Sequence, residues 1–369
     1  MTRLAATAIC RELGARYPIF GFSHEPDVIV ALAEAGGFGV LGLAREMPHE
    51  IPQLIERIEA RLAGKPYGID LMLPANVPQA ADIDGVRAQI PPAHRAFVDG
   101  LRERFQLRAP TRPSFFTTQV RSEALFDAQI EAVLASNARA VATAIGIRPE
   151  LIARARAAGK YTLSLVGTPR HAQKALDLGV DGLVAQGCDA GGHTGTIGTF
   201  SLVPQIVAVA RGKPVLAAGG IGTGAQIAAS LAMGAQGAWL GTLWLAAAEN
   251  HTPPALLERL IHAQSADTMI TRAHSGKPCR VVRSAWIDAW HETGAPDPLP
   301  MPFQQALTGS DFSAMHEFDD ANLIYEAAGQ SVFAITQPTT VAAQMALLIA
   351  EADAALDALQ SAMTLTPAA

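Results

Sequence analysis

The stretch Val215-Leu216-Ala217-Ala218-Gly219-Gly220-Ile221-Gly222-Thr223-Gly224 joins a short apolar run to a glycine-rich turn, and a helical pattern begins at Ala225. A short apolar run bounded by glycine is typical of a strand buried on both faces of a parallel sheet. The N–H groups at the start of the following helix can bind an anion. The stretch therefore predicts a strand–turn–helix unit with a phosphate site, although glycine also clusters at such turns for steric reasons alone.

The same unit recurs along the first two thirds of the chain. Apolar runs occur at 18–22, 39–43, 67–73, 138–145, 161–166, 182–185, 214–218 and 238–241, and helical patterns between them include 27–35, 50–62, 149–158, 170–178 and 225–233. Eight such units predict a (β/α)8 TIM barrel, although a doubly wound sheet gives a similar pattern. Glycine-rich turns after the last two strands favour the barrel, because barrels often bind phosphate there.

The length of 369 residues leaves room for more than a barrel. We predict a barrel over residues 1–247, with a proline-rich insertion at 75–113 that forms a lid or an interface arm. Residues 248–334 show helical patterns and no strand series, so we predict a small, mostly helical domain that covers the substrate. Residues 335–369 predict a C-terminal helix that packs back on the barrel.

The composition excludes several classes of protein. A net charge of −6 and a pI of about 5.9 argue against a nucleic-acid partner. Three widely spaced cysteines give neither a disulfide framework nor a CxxC pattern, and no HxH or HExxH motif predicts a metal site. No apolar run is long enough to span a membrane, and we expect a cytoplasmic protein. The sequence is compatible with a homodimer.

A histidine in a glycine-rich loop is the strongest candidate for chemistry. In Gln186-Gly187-Cys188-Asp189-Ala190-Gly191-Gly192-His193-Thr194-Gly195 the loop directly follows the sixth predicted strand. Because an unperturbed histidine has a pKa near 6.5, His193 can act as an acid, a base or a hydrogen-bond donor. The alternative is a histidine satisfied by the backbone of a tight loop. Leu240-Gly241-Thr242 lies one unit after Gly219-Gly220, and two adjacent loops of this kind can clamp one phosphate.

Three further features have both a functional and a structural interpretation. Cys188 lacks an activating histidine and has Asp189 beside it, so we interpret it as structural rather than nucleophilic. Asp70, in the third predicted strand, either faces a cofactor or braces a neighbouring loop. The cationic segment 271–280 attracts an anionic ligand or is a solvated loop.

The loop 186–195 resembles the signature loop of the nitronate monooxygenase family of FMN enzymes, formerly called 2-nitropropane dioxygenases. The resemblance extends along most of the chain, except for the insertion at 75–113. It includes Ala35-Gly36-Gly37-Phe38-Gly39, Ala218-Gly219-Gly220-Ile221, Leu240-Gly241-Thr242, the segment from Thr271-Arg272 to Arg280, and Ala328-Gly329-Gln330-Ser331.

This resemblance implies that FMN lies across the mouth of a TIM barrel, with a smaller domain over it. His193 would be the catalytic residue that contacts the substrate. The residues expected to bind FMN are Phe20, Gly21, Phe22, Asp70, Gln186, Gly191, Gly192, Gly219, Gly220, Trp239, Leu240, Gly241 and Thr242. The chain departs from the family in two places: residues 19–23 lack the usual methionine, and Asp70 stands where asparagine is usual.

The function implied by the resemblance is the oxidation of alkyl nitronates, or nitroalkanes, with O2 to a carbonyl compound and nitrite. The alternative within the same family is an FMN-dependent NAD(P)H:quinone or enoyl-thioester reductase, since one fold supports several reactions. An isomerase or phosphate-binding barrel without flavin is a third interpretation of the glycine-rich turns.

Overall fold

Eight parallel strands close into a barrel in the computed structural model, which describes residues 2–75, 77–79 and 82–364. The barrel strands are β1 (Ile19–Ser23), β2 (Phe38–Gly42), β3 (Gly68–Met72), β4 (Ala140–Ala144), β5 (Tyr161–Val166), β6 (Gly182–Gln186), β8 (Val215–Ala218) and β9 (Gly237–Leu240). Pairing of β9 with β1 closes the barrel. The predicted TIM barrel is confirmed, and each predicted apolar run overlaps one strand.

Helices surround the barrel and form much of the structure above it. They are α1 (Ala8–Leu13), α2 (Pro26–Glu34), α3 (Ile51–Leu62), α4 (Ile83–Ala88), α5 (Pro92–Phe105), α6 (Phe115–Thr118), α7 (Glu123–Ala135), α8 (Pro149–Ala157), α9 (Pro169–Asp177), α10 (Thr199–Val209), α11 (Gly224–Ala232), α12 (Pro254–His262), α13 (Ala285–Ala289), α14 (Phe303–Glu317) and α15 (Val341–Thr364). Short 3-10 helices cover Thr242–Ala246, Ala248–Asn250, Ser265–Asp267 and Gln330–Ala334. The five helical segments named from the sequence correspond to α2, α3, α8, α9 and α11. Among the described residues, no helix is long and apolar enough to cross a membrane.

One end of the barrel is closed by its own N-terminal helix. Alternate strand residues such as Phe20 and Phe38 fill the barrel interior, with their ring centroids 5.5 Å apart. Ile9 and Leu13 of α1 belong to the same apolar cluster. The Thr7 hydroxyl donates to the Gln236 carbonyl, 2.6 Å away and directly before β9. Because α1 covers the end where the strands begin, the open end of the barrel among the described residues is the one at the carboxyl ends of the strands.

The segment 248–334 contains the helices α12, α13 and α14, and it also contains strands that the sequence did not predict. β10 (Thr268–Thr271) and β11 (Cys279–Val282) pair in antiparallel fashion, and β7 (Gly192–His193) from the barrel loop is the third strand of this sheet. Strands of four and two residues are too short to show a periodic pattern. The expectation of no strand series in this segment is therefore corrected.

The insertion after β3 packs on the same small domain. The Arg102 guanidinium on α5 pairs with the buried Asp311 carboxylate on α14, with Nε and Oδ1 2.7 Å apart. The rings of Phe97 and Trp290 lie 4.9 Å apart. Insertion and small domain together form one layer, here named the cap. Positions 76, 80 and 81 of the predicted insertion lie outside the described residues, and the domain limits stay predictions.

The C-terminal helix α15 packs against α11 and α2. Leu348 and Ala352 on α15 are fully buried. The Gly224 amide at the start of α11 donates to the Glu351 carboxylate, with N and Oε2 2.7 Å apart. Residues 365–369 of the predicted C-terminal segment lie outside the described residues.

Candidate active site

The carboxyl ends of the barrel strands open into a cavity of about 960 Å³ beneath the cap. A cavity of this size is typical of cofactor and substrate sites. Of the residues expected to bind the cofactor or substrate, those lining this cavity are Phe22, Asp70, Gln186, Gly191, Gly192, His193, Gly219, Gly220, Trp239, Leu240, Gly241 and Thr242. The structure therefore brings together side chains and backbone from β1, β3, β6, β8 and β9 at one end of the barrel.

Two expected residues of β1 lie elsewhere. Phe20 is fully buried against Phe38 in the barrel interior, and Gly21 faces outward against Leu32 and Trp244. Successive residues of a strand point to opposite faces, and Phe20 lies one inward position below Phe22. Only Phe22 of these three residues reaches the cavity, so the structure gives Phe20 and Gly21 no direct contact with a ligand there.

The turn at Gly219 and Gly220 requires glycine for two reasons. Both residues have positive φ angles, 106° and 67°. A β-carbon on Gly219 would lie 2.7 Å from the Thr199 hydroxyl oxygen, and one on Gly220 would lie 2.9 Å from Cβ of Asp189. Within the described part of the chain, the amides of Gly220 and Ile221 donate no hydrogen bond. This turn can therefore present bare N–H groups to an anionic oxygen.

The helix start after this turn does not provide the anion site that the sequence predicted. The amide of Gly222 donates to Gln226 Oε1, 2.7 Å away, and the amide of Thr223 donates to the same oxygen at 3.1 Å. Glu351 already accepts the amide of Gly224. Because these N–H groups are satisfied within the protein, the amides left to receive an anion are those of the turn at residues 219–221.

The loop 186–195 is held against the rest of the site by close backbone contacts. A β-carbon on Gly191 would lie 2.7 Å from the Gly329 nitrogen. The Gly329 amide donates to the Thr242 hydroxyl, 2.9 Å away. Gly191, Gly329 and Thr242 therefore fix three loops on one another. β8 and β9 are neighbours in the barrel, so the turns that follow them border the same part of the cavity.

His193 is positioned by the small antiparallel sheet. It pairs with Cys279 of β11, and its Nε2 lies 2.7 Å from the Ser275 hydroxyl oxygen. Burial lowers the pKa of His193 well below its ordinary value, and the nearby His274 and Arg121 lower it further. The imidazole is therefore neutral at pH 7, with one ring nitrogen donating and the other accepting. The sequence had left open a protonated His193, which this environment disfavours.

A buried arginine in the cavity wall was not predicted. Arg121 is 6% exposed, and its guanidinium donates to the side-chain oxygen of Gln305 and to the Ala44 carbonyl. Both partners are neutral. Burial and the charge of Arg45 lower the pKa of Arg121 to about 9, so it stays cationic at pH 7. Among the described residues no carboxylate forms an ion pair with Arg121, so it brings an unneutralised positive charge to the cavity wall.

A second arginine joins the barrel to the cap. Arg45, which follows β2, forms a two-pronged ion pair with Glu326, with N–O distances of 2.8 and 2.6 Å. Although burial favours the protonated acid, Arg45 lowers the pKa of the Glu326 carboxyl well below its ordinary value. His24 lies nearby, and burial together with Arg45 lowers its pKa to about 3. The position of Arg45 directly after an apolar run was the signal that sequence reasoning missed.

In the cationic segment 271–280, one cationic side chain lines the cavity and two others donate hydrogen bonds to backbone carbonyls. Lys277 lines the cavity. Arg272 instead donates to the Gly276 carbonyl, and Arg280 donates to the Cys188 carbonyl at 2.8 Å. Cys188 does not line the cavity, which supports its structural interpretation. Asp189 accepts the Thr199 amide at the start of α10, so its carboxylate braces the loop.

Comparison with known proteins decides the family. The sequence profile of the nitronate monooxygenase family matches residues 15–351. The chain belongs to the nitronate monooxygenase family. It is therefore an oxidoreductase enzyme of a flavin-dependent kind, which confirms the resemblance drawn from the sequence.

Three individual relatives of this nitronate monooxygenase family member support the family assignment. A Mycobacterium tuberculosis protein, provisionally named monooxygenase Rv1533, is 42% identical over 310 residues, which is 82% of each chain. A Staphylococcus aureus protein named as a probable nitronate monooxygenase is 29% identical over 88% of this chain and 91% of its own length. The crystal structure of nitroalkane oxidase from Streptomyces ansochromogenes has a TM-score of 0.79 and 29% identity, and it covers 96% of this chain and 100% of the oxidase chain.

The backbone of the site in this family member fits a phosphorylated flavin. The fit rests on the bare amides of Gly220 and Ile221, the close turns and the size of the cavity. Asp70, one of the two departures noted in the sequence, lies in the cavity wall. It is 6% exposed, its Oδ1 has no hydrogen-bond partner within the described residues, and burial raises its pKa to about 7.

Proposed function

We propose that this enzyme oxidises alkyl nitronates with FMN as its cofactor and O2 as the electron acceptor, and that it releases a carbonyl compound and nitrite. The observation that supports the proposal most directly is the buried positive charge of Arg121. A buried charge without a counter-charge is costly unless a ligand supplies one. A nitronate is a small anion and can provide the missing negative charge, whereas the reacting groups of quinones and enoyl thioesters are neutral.

Of the residues expected from the sequence to bind FMN, all but Phe20 and Gly21 line the cavity. The amides at Gly220 and Ile221, with Gly241 and Thr242 on the neighbouring loop, would hold the phosphate. Gln186 and Trp239 would border the ring system. FMN supplies the electron transfer when bound, while the protein positions the substrate and sets the local charge. Overall, two nitronate anions and one O2 give two carbonyl groups and two nitrite ions, which balances atoms and charge.

His193 would orient the substrate by hydrogen bonding rather than by taking a proton. Ser275 fixes one ring nitrogen, at 2.7 Å. Because burial keeps the imidazole neutral, it can donate to an oxygen of the nitro group but is a weak base. We therefore expect the enzyme to use preformed nitronates far better than neutral nitroalkanes, which must first lose a proton from carbon.

The FMN-dependent reductase is the second candidate, and the length of the cavity is what favours it. The lining extends beyond the turns to His171 and Lys174 on α9. This outer part leaves room for a longer electron donor such as NADH or NADPH, with Lys174 available to a phosphate.

The cofactor and the reaction can be tested separately. Denaturation of the purified protein should release its bound cofactor, and the mass of the released cofactor should be that of FMN. Aerobic incubation with propyl-2-nitronate should consume O2 and form nitrite in the ratio of one to two. Absence of flavin would contradict the cofactor assignment, and flavin-loaded protein that forms no nitrite would contradict the reaction.

A further inference from the structure

We propose that Asp70 binds the ring system of the cofactor as a protonated carboxylic acid, so that FMN binding above neutral pH takes up a proton at this side chain. The proposal rests on FMN being the cofactor and goes beyond the reaction proposed above. It assigns a proton-linked binding residue to the barrel wall of the cavity.

The first observation is the isolation of the carboxyl group. Asp70 lies in the middle of β3, between Gly42 of β2 and Ala142 of β4, and its side chain lines the cavity. Oδ1 is buried and has no hydrogen-bond partner in the described part of the chain. Buried polar atoms are normally paired, so an orphaned oxygen at a cavity wall indicates a ligand that completes it.

The second observation concerns the surrounding charges. β2 and β4, which flank Asp70, carry no titratable side chain, and α7 behind β3 carries Glu123, Asp127 and Glu131. The other titratable groups that line the cavity are His24, Glu25, Arg45, Arg121, Glu123, Arg148, His171, Lys174, His193, His251, His274, Lys277, Cys279, His316 and Glu326. None of them accounts for the shift of the Asp70 pKa, for which burial is the sole cause. The carboxylate therefore has no counter-charge of its own.

These observations indicate which protonation state of the Asp70 carboxyl group is compatible with the ring system of the cofactor. A ligand over Asp70 removes the remaining water and deepens the burial that already favours the neutral acid. A protonated carboxyl group offers one donor and one acceptor, as an asparagine amide does, whereas a carboxylate only accepts. Electrons placed on the ring add negative charge, which a carboxylate would repel. The neutral acid is the form compatible with both states of the cofactor.

The pH dependence of FMN affinity tests the proposal. Above about pH 7, each pH unit should raise the Kd of the wild-type protein for FMN by up to about tenfold, because the ionised carboxyl must first regain its proton. Asp70→Asn removes this contribution and keeps the shape of the side chain. Titration of the phosphate of FMN, and of other protein groups, affects both proteins equally, so the ratio of the two Kd values isolates Asp70.

The measurement is quenching of FMN fluorescence between pH 6 and pH 9, on flavin-free wild-type protein and two variants. Glu123→Gln removes a carboxyl group at the rim of the same cavity, where it is ion-paired with Arg148, and should keep the wild-type slope. Infrared difference spectra on FMN binding should show a protonated carboxyl band at pH 8 that is missing in Asp70→Asn. Equal slopes in wild type and Asp70→Asn, or no such band, would overturn the role of Asp70. Failure of FMN to bind at every pH would overturn the cofactor assignment and the proposal with it.

Discussion

The Ser275 hydroxyl oxygen lies 2.7 Å from Nε2 of His193, although the two residues belong to different parts of the protein. His193 comes from the loop after β6, and Ser275 comes from the turn between β10 and β11 in the cap. The pairing of β7 with β11 holds them together. The candidate site is therefore complete only when the cap and the barrel loop share one sheet.

Replacement of His193 tests its role in substrate orientation. We expect His193→Asn to retain flavin and to lower kcat/KM for a nitronate by about 100-fold, because the hydrogen bond to the nitro group is lost. Ser275→Ala should have a smaller effect in the same direction, since it frees the ring to rotate. Nitrite formation and flavin content measure both. His171→Asn, at the outer end of the cavity, is the control and should leave turnover unchanged; unchanged kinetics in His193→Asn would remove the proposed role.

Neutralisation of Arg121 tests the requirement for an anionic substrate. Arg121→Met should raise KM for a nitronate by at least about 30-fold, the ratio that corresponds to about 2 kcal/mol for loss of a buried charge contact. FMN content should stay the same. Arg148→Met is a matched control, because Arg148 lines the same cavity but is already ion-paired with Glu123. If both variants shifted KM equally, the positive charge of Arg121 would have no special part in binding.

The sequence predicts the barrel well because its evidence is local. Each strand is a short apolar run buried on both faces, and the glycine turn at residues 219–220 is visible in the chain itself. The electrostatic part of the site is not local. Arg45 pairs with Glu326, and Arg121 comes near Arg45, only after the cap folds over the barrel, and each residue alone resembles an ordinary surface charge.

Local reasoning also missed that amides at the start of α11 are already bonded within the protein. The sequence shows that a helix follows the glycines, which predicts free N–H groups. It does not show that Gln226 folds back on Gly222, or that Glu351 reaches Gly224 from a helix more than a hundred residues later. The orientation of Phe20 and Gly21 likewise depends on strand register, which fixes which face of β1 meets the cavity.

The ion pair between Arg45 and Glu326 should stabilise the attachment of the cap. Glu326→Gln leaves Arg45 partly buried without its counter-charge, so we expect a loss of about 3–5 kcal/mol in the free energy of unfolding at pH 7. Because the folded pKa of Glu326 is lowered, the stabilisation is present above its unfolded pKa and is lost as the pH falls through its folded pKa. The difference between wild type and variant should therefore shrink below about pH 4.

Urea denaturation at pH 7 and at lower pH measures this difference. Glu131→Gln is the control, because Glu131 also forms a two-pronged pair, with Arg154, but on the exposed surface of the barrel. It should change the stability little. Equal effects of the two substitutions would show that burial adds nothing to the pair between Arg45 and Glu326.

The glycine turn can be tested against a glycine of similar conformation elsewhere. Gly220→Ala and Gly212→Ala both place alanine at a positive φ, which costs about 1–2 kcal/mol of stability. Only Gly220→Ala also sets a methyl group 2.9 Å from Asp189 and beside the bare amides, whereas Gly212 has no atom within 4 Å of such a methyl group. Gly220→Ala should weaken FMN binding by about tenfold or more, a loss of about 1.4 kcal/mol. Fluorescence titration measures the Kd, and equal affinities in the two variants would contradict a phosphate site at this turn.

Anaerobic mixing of the FMN-loaded enzyme with single electron donors tests the central claim most directly. The absorbance of the oxidised flavin should be lost rapidly with a small alkyl nitronate and should persist with NADH or NADPH. Rapid loss with NADH or NADPH, and none with any nitronate, would contradict nitronate oxidation and establish the reductase in its place.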